Sequence, residues 1–178
     1  MDVSRFWLLI ADSLSKSEGD PEKQRDVLVQ ALTRRDESEL VDFERHYFDL
    51  IARAHRWNLA DAIRLISDGC SDDSFYYFCD FLVSKGERVY ERTLADPESL
   101  LDDALDEEGM WPYGEMQFNQ AGADAYRIQA GDPDAELHCD YDWPDLMPGE
   151  GIDCEDDSIV KEVFPRIWAH LKKYNRSP

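Results

Sequence analysis

Hydrophobic residues recur every three or four positions along the first hundred residues, which is the spacing of an α-helix with one buried face. The longest such run covers residues 40 to 54, and its apolar members are Leu40, Phe43, Tyr47, Leu50, Ile51 and Ala54. Asp36 and Glu39 lie just ahead of the run, at the spacing of a capping pair. The pattern therefore predicts a long helix here, preceded and followed by shorter ones.

Six shorter segments of the first 105 residues show the same spacing, and capping residues mark several of their ends. Asp20 followed by Pro21 is typical of a helix start, and Gly69 is typical of a helix end. The segments are 6–14, 21–32, 59–66, 71–84, 86–94 and 97–105. Residues 1–105 are therefore predicted to form a helical core.

The periodicity weakens after Glu108, where glycines and prolines interrupt it repeatedly. Tryptophan and tyrosine remain frequent there, whereas disordered tails are poor in aromatic residues. Residues 106–157 are therefore predicted to form an ordered but irregular acidic lobe. The helical spacing returns in residues 158–174 as a C-terminal helix, which Pro165 either kinks or begins.

Together these elements predict a single domain over residues 1–178, of mainly α class: a compact multi-helix domain with an irregular acidic lobe and a C-terminal helix. No apolar stretch reaches the roughly 18 to 20 residues that span a bilayer. The first residues do not resemble an export signal either. We therefore expect a cytoplasmic protein without membrane contact, whose four cysteines remain reduced thiols.

The chain is strongly acidic, with 40 Asp and Glu against 19 Lys and Arg and a formal net charge of -21. Residues 96–157 hold 20 of these acids and a single basic residue. Such a surface repels phosphate backbones, which disfavours direct nucleic-acid binding. It attracts basic macromolecules, so the favoured hypothesis is a module that binds a basic protein, with a neutralising or immunity-type role as one form of it.

Aromatic residues stand beside aspartates within the acidic lobe, and aromatic side chains commonly anchor protein interfaces. The candidate partner-binding residues are Asp140, Tyr141, Asp142, Trp143, Asp153, Asp156 and Asp157. Three other interpretations stay open. The acids could form only a solvated face, mimic a nucleic-acid backbone, or bind calcium. The sequence does not indicate the oligomeric state.

Ser71, Asp72 and Asp73 open the segment 71–84 and form a second candidate motif. A serine N-cap followed by two acids satisfies free N–H groups and complements the helix dipole, so capping is the favoured interpretation. Adjacent carboxylates can also bind hard cations, which leaves a metal-assisted hydrolase as the enzymatic alternative. The cysteines and histidines lack zinc-site spacing and the acids lack the EF-hand pattern, so neither a metal nor a cofactor is predicted.

Within residues 63–101, a small-residue turn leads into Ser-Asp-Asp, an aromatic helix, a glycine break and an Asp-Pro-Glu-Ser-Leu helix start. These features are carried by Gly69, Ser71, Asp72, Asp73, Phe75, Phe78, Gly86, Asp96, Pro97, Ser99 and Leu100. This string resembles the central motif of a bacterial family, the domain of unknown function 4240. Cys79 departs from that motif, in which an arginine is expected. The resemblance extends over residues 1–105 and loosely over the C-terminal helix, and it implies no activity, cofactor or catalytic residue.

Overall fold

The computed structural model describes residues 1–67, 69–103, 117–144 and 147–174. Its α-helices are α1 (Val3–Ser17), α2 (Pro21–Leu32), α3 (Glu37–Ala54), α4 (Trp57–Ile66), α5 (Asp72–Ser84), α6 (Glu87–Ala95), α7 (Leu100–Asp103), α8 (Ala121–Ala130), α9 (Asp157–Val163) and α10 (Pro165–Lys173). Short 3-10 helices, Pro97–Ser99 and Phe118–Gln120, lie directly before α7 and α8. The described residues contain no β-strand, so the predicted mainly α, multi-helix fold is confirmed.

Side chains at the helix starts explain why several helices begin where they do. The carboxylate of Asp36 accepts the N–H of Glu39 at 3.0 Å and so caps α3. Asp20 caps α2 in the same way, with Pro21 at the first helical position. Because the first N–H groups of a helix have no partner within it, these caps fix its first residue.

The core is built around α3, which packs against α1, α5 and α8. The largest fully buried side chains of the core are aromatic and come from α1, α3, α5, α6 and the second 3-10 helix: Phe6, Phe43, Tyr47, Phe78, Tyr90 and Phe118. The hydroxyl of Tyr90 donates to the carbonyl of Leu50 at 2.7 Å, so even this buried phenol has a hydrogen-bond partner. At the other end of the chain, α10 packs against α4 and carries the buried residues Ile167 and Leu171.

Part of the predicted irregular lobe is helical. Residues 131–144 and 147–156 form no regular helix, as expected, whereas residues 118–130 form the second 3-10 helix and α8. The buried face of α8 consists of Ala121, Gly122 and Ala125, so the apolar stripe is made of small residues. Such a stripe gives little hydrophobic periodicity, which is why the sequence pattern did not reveal this helix. Residues 104–105 of the predicted helical core, and residues 106–116 and 145–146 of the predicted lobe, lie outside the described part of the chain.

The predicted C-terminal helix is divided into two. The helix α9 ends at Val163, Phe164 has a non-helical backbone, and Pro165 occupies the first position of α10. Proline lacks the N–H that an uninterrupted helix would need at this position, and its fixed φ suits a helix start. Of the two predicted roles for Pro165, the structure shows the start of a new helix.

Candidate functional site

Four aromatic side chains from three parts of the chain form a cluster that we call the aromatic platform: Phe48, Tyr76, Tyr141 and Trp143. The Trp143 ring lies 5.1 Å from the Tyr141 ring and 5.7 Å from each of the other two, measured between centroids. All three contacts are T-shaped or edge-on, which is a favourable geometry for aromatic pairs. The cluster fixes the position of Trp143, whose side chain nevertheless remains 44% exposed.

The irregular segment after α8 brings Tyr141 and Trp143 to this place. Gly131 closes α8 in the left-handed conformation, with φ of 64°, and releases the chain from the helix direction. The segment then crosses α3, where the Cys139 thiol lies 3.8 Å from the carbonyl of Val41. Phe48 of α3 and Tyr76 of α5 supply the support beneath it.

Exposed aspartates border the platform. Asp140 and Asp142 alternate with the two aromatic residues of the segment, and Asp49 follows Phe48 on α3; all three are exposed. Burial, together with the charge of Asp49, raises the pKa of Tyr141 to about 12, so its phenol stays protonated at neutral pH. The platform therefore combines an exposed indole with negative charge on two sides.

The other three predicted partner-binding acids have local roles. The Asp153 carboxylate accepts the N–H of Glu155 at 3.0 Å, and Asp156 caps α9 by accepting the N–H of Ser158 at 2.8 Å. Asp157 pairs with Lys172 at 2.6 Å. The described contacts of these acids stay within residues 153–172, so the structure groups Asp140 and Asp142 with the platform but not these three.

Ser71, Asp72 and Asp73 lie at the start of α5. The Ser71 hydroxyl accepts the N–H of Ser74 at 3.1 Å and is therefore the N-cap of this helix. Asp72 and Asp73 are exposed residues of the first turn, where their charge favours the positive end of the helix dipole.

Two buried carboxylates, which the sequence analysis did not single out, lie beneath this region. Asp80 of α5 is 2% exposed and accepts the N–H of Phe118 at 3.0 Å and of Asn119 at 2.9 Å. Glu44 of α3 is 5% exposed and accepts the N–H of Ala123 at 3.0 Å. Each acid interrupts an otherwise apolar helix face, and that interruption is the signal by which the sequence could have revealed it.

A short chain of hydrogen bonds connects these acids to the platform. The side-chain amide of Asn119 donates to the Tyr76 hydroxyl at 3.0 Å, while its backbone N–H donates to Asp80. Tyr47 donates its hydroxyl to the backbone carbonyl of Asp80 at 3.0 Å. Tyr76 thus contacts the exposed Trp143 through its ring and the buried network through its hydroxyl.

The candidate metal ligands do not converge in the described part of the chain. No group of three His, Cys, Asp or Glu side chains there is placed to hold an ion. All four cysteines are free thiols, and Cys79 is buried in the core. Among the described helices, none is long and apolar enough to cross a membrane.

Two surface cavities formed by the described residues lie away from the aromatic platform. One of about 790 Å³ runs between α1 and the start of α6, and another of about 610 Å³ lies between α2 and α8. Neither is lined by a residue of the aromatic platform. The platform is therefore separate from both cavities and presents its exposed indole as a surface feature.

A family model described as protein of unknown function (DUF4240) matches residues 1–128. The match includes both buried carboxylates and the N–H groups that they accept, and it ends before Tyr141 and Trp143. No curated protein and no solved structure matches the chain.

Proposed function

Because the chain belongs to the family described as protein of unknown function (DUF4240), whose description names no activity, we propose its function from the surface that the structure forms. The protein is a binding module for a basic protein, and the aromatic platform with its bordering aspartates is the contact surface. The observation that carries this proposal is the exposure of Trp143 on top of three supporting rings.

An exposed indole held in this way is suited to anchoring a partner. Tryptophan and tyrosine contribute large contact areas, and their ring faces attract the cationic groups of Lys and Arg. Since neighbouring rings already fix Trp143, little side-chain freedom is lost when a partner covers it. Burial of this one ring would therefore contribute more to affinity than burial of a mobile surface residue.

The charges around the platform favour a basic partner over an acidic one. The exposed Asp49 forms a hydrogen bond with the Tyr141 side chain. Asp140 and Asp142 are exposed as well, and neither forms a salt bridge with another described residue. Their carboxylates are therefore available to a cation brought by the partner. The excess of acids over bases in residues 96–157 extends the same potential over a wider surface and would speed encounter.

The experiment is capture from a lysate of the source organism on the immobilised protein, first at low salt and then at about 0.5 M salt, where the Debye length is roughly 4 Å. The test variant is Asp140→Asn with Asp142→Asn. Its control is Glu155→Gln with Glu162→Gln, which removes the same charge from two exposed acids that are not among those bordering the platform. We expect a basic protein to be retained and released by salt with the wild type and the control, and lost with the test variant.

Equal loss of the captured protein with both variants would contradict the proposal, because it would show that net charge rather than the platform holds the partner. Retention by both variants would contradict it as well, because the two platform acids would then contribute nothing.

A further inference from the structure

Glu44 and Asp80 replace the local cap that the start of α8 lacks. Gln120, which precedes α8, makes no side-chain capping bond, and Gln117 makes none to the 3-10 helix. Instead the N–H groups of Phe118, Asn119 and Ala123 donate to carboxylates on α5 and α3. Two acids that are far away in sequence therefore help to attach residues 117–130 to the core, together with Arg25, which contacts Gln117 and Asp124.

Few positive charges face these two carboxylates. Asp80 faces Arg25 of α2, but Arg25 is itself paired with Asp124 of α8. Glu44 faces Asp124 and Asp80, both acidic, and Cys139 of the segment after α8. Among the described residues, the other titratable groups at the site include two phenols, Tyr47 of α3 and Tyr76 of α5, and the buried thiol of Cys79 on α5. With both carboxylates ionised, the site holds like charges in a buried environment, which is unfavourable.

We propose that Glu44 and Asp80 form a proton-operated latch. Protonation of these two carboxyls favours the docked position of residues 117–130 on α3 and α5, and their ionisation weakens it. The latch extends to the platform, since Asn119 holds the hydroxyl of Tyr76. That consequence for partner binding rests on the proposed function, whereas the latch itself does not.

The two acids change their ionisation at and below neutral pH, so the docking of residues 117–130 should depend on pH in that range. Burial raises the pKa of Glu44 to about 7 and that of Asp80 to about 7, against the opposing effect of the N–H groups that they accept. In the released segment these carboxyls return towards their ordinary pKa values of 4.5 and 3.8. At a pH between the ordinary and the raised pKa values, the two carboxyls bind protons in the docked form but not in the released form. Docking is therefore strongest at mildly acidic pH, weakens as the pH rises to about 7, and changes little above that.

Hydrogen exchange of individual amides, corrected for the intrinsic pH dependence of exchange, tests the latch on the full chain without any partner. The reporters are the N–H groups of Phe118, Asn119 and Ala123. The internal control is the N–H of Ser74, which is capped by the Ser71 hydroxyl, a group that does not titrate in this range. We expect the protection of the reporters to fall between pH 5 and pH 7 by about tenfold per pH unit for each carboxyl that titrates, and to level off above pH 7. Protection of the Ser74 amide should change less.

The variant Glu44→Gln separates ionisation from hydrogen bonding, because glutamine keeps an amide oxygen for the N–H of Ala123 and carries no charge. It should show a shallower pH dependence at all three reporters. The latch would be overturned if protection of the reporters depended on pH as steeply in Glu44→Gln as in the wild type. It would also be overturned if, in the wild type, their protection depended on pH no more steeply than that of the Ser74 amide.

A titration of the side-chain carboxyl carbons by NMR in the wild type gives a second test that needs no variant. Midpoints near 7 for Glu44 and Asp80 support the latch, and midpoints below 5 for both would overturn it. Because neither measurement uses a partner, failure of the latch leaves the proposed binding function standing, and failure of capture leaves the latch standing.

Discussion

The described aspartates of residues 131–156, which are exposed, and the buried pair Glu44 and Asp80 have the same chemistry but opposite environments. Asp156 is exposed, and hydrogen bonds from the hydroxyl and N–H of Ser158 lower its pKa. Glu44 and Asp80 also accept N–H groups, yet burial outweighs these bonds and raises their pKa values. The comparison shows that the acids of the chain fall into two groups, exposed acids that readily keep their charge and buried acids that accept N–H groups of residues 118–123.

The two regions also differ in their relation to the family. The matched residues 1–128 include both buried carboxylates, together with Phe48 and Tyr76 of the platform. Tyr141 and Trp143 lie beyond the match. The platform is therefore assembled from a part that the chain shares with its family and a part that follows it.

Removal of the Asp80 carboxylate should produce the largest loss of stability. In Asp80→Ala the buried N–H groups of Phe118 and Asn119 lose their acceptors, and each unsatisfied group costs about 1 to 3 kcal/mol. The matched control is Asp73→Ala on the same helix, where the exposed carboxylate contributes less than about 1 kcal/mol. Urea unfolding measures both free energies. If both variants lost the same free energy of unfolding, the buried and the exposed acid would contribute equally to stability, which would contradict this comparison.

The pH dependence of stability should be the next largest effect. Because the pKa of Glu44 is raised from 4.5 to about 7, its contribution is complete at pH 4.5 and lost as the pH rises to about 7. The expected change is up to about 3 kcal/mol for this residue. General repulsion among the acids acts in the same direction, so Glu44→Gln should be compared with the exposed Glu162→Gln. A similar pH dependence of unfolding in both variants would show that Glu44 has no special role.

The exposed cap Asp36 should contribute to stability with the opposite pH dependence, so that its contribution is lost at low pH rather than at high pH. Hydrogen bonds from Glu39 and Ser38 lower the pKa of Asp36, so its contribution is present above pH 3.8 and lost as the pH falls below that value. Comparison of Asp36→Asn with the wild type in acid unfolding should therefore reveal a difference only on the acid side. A difference between these proteins at pH 5 to 7 that depends on pH would contradict the assignment.

Gly122→Ala tests how closely α8 approaches the buried acid. A Cβ at this position would lie 2.5 Å from Oε1 of Glu44, so the carboxylate would have to leave its place beside the N–H of Ala123. We expect a loss of about 1 to 3 kcal/mol in the free energy of unfolding. In a Glu44→Ala background the same substitution should cost much less, because the obstructing side chain is gone. A full cost in both backgrounds would point to a cause other than Glu44.

The smallest effect belongs to the cap of α5. Ser71→Ala removes the acceptor of the Ser74 N–H and should cost about 0.5 to 2 kcal/mol, which thermal unfolding can detect. Ser71→Asp keeps an acceptor at the cap and should restore most of the loss. If Ser71→Ala leaves the melting temperature unchanged, the cap does not stabilise this helix.

The elements of the helical core could be predicted because their buried faces consist of large apolar residues at helical spacing. Leu40, Phe43 and Tyr47 make α3 visible in the sequence, and Asp36 marks its start. The helix α8 could not be found in this way, since Ala121, Gly122 and Ala125 bury little apolar area each. Close approach of its glycine to the Glu44 side chain, rather than a hydrophobic stripe, marks the buried face of that helix.

The candidate site could be predicted only in part, because its supports come from distant segments. Tyr141 and Trp143 stood out as aromatic residues among acids, but nothing local in the sequence pairs them with Phe48 and Tyr76. Asp80 is an acid in an apolar helix that the sequence analysis did not single out, and its partner Phe118 lies 38 residues further along the chain. Such pairings follow from tertiary packing, which periodicity does not encode.

Capture with Trp143→Ala, compared with Leu8→Ala, tests the proposed binding function most directly. Leu8 is 68% exposed on α1 and Trp143 is 44% exposed, so each variant removes a large exposed apolar side chain without changing the charge. The account predicts that the basic protein retained by the wild type is also retained by Leu8→Ala and is lost from Trp143→Ala. Undiminished retention by Trp143→Ala would show that the aromatic platform is not the binding surface.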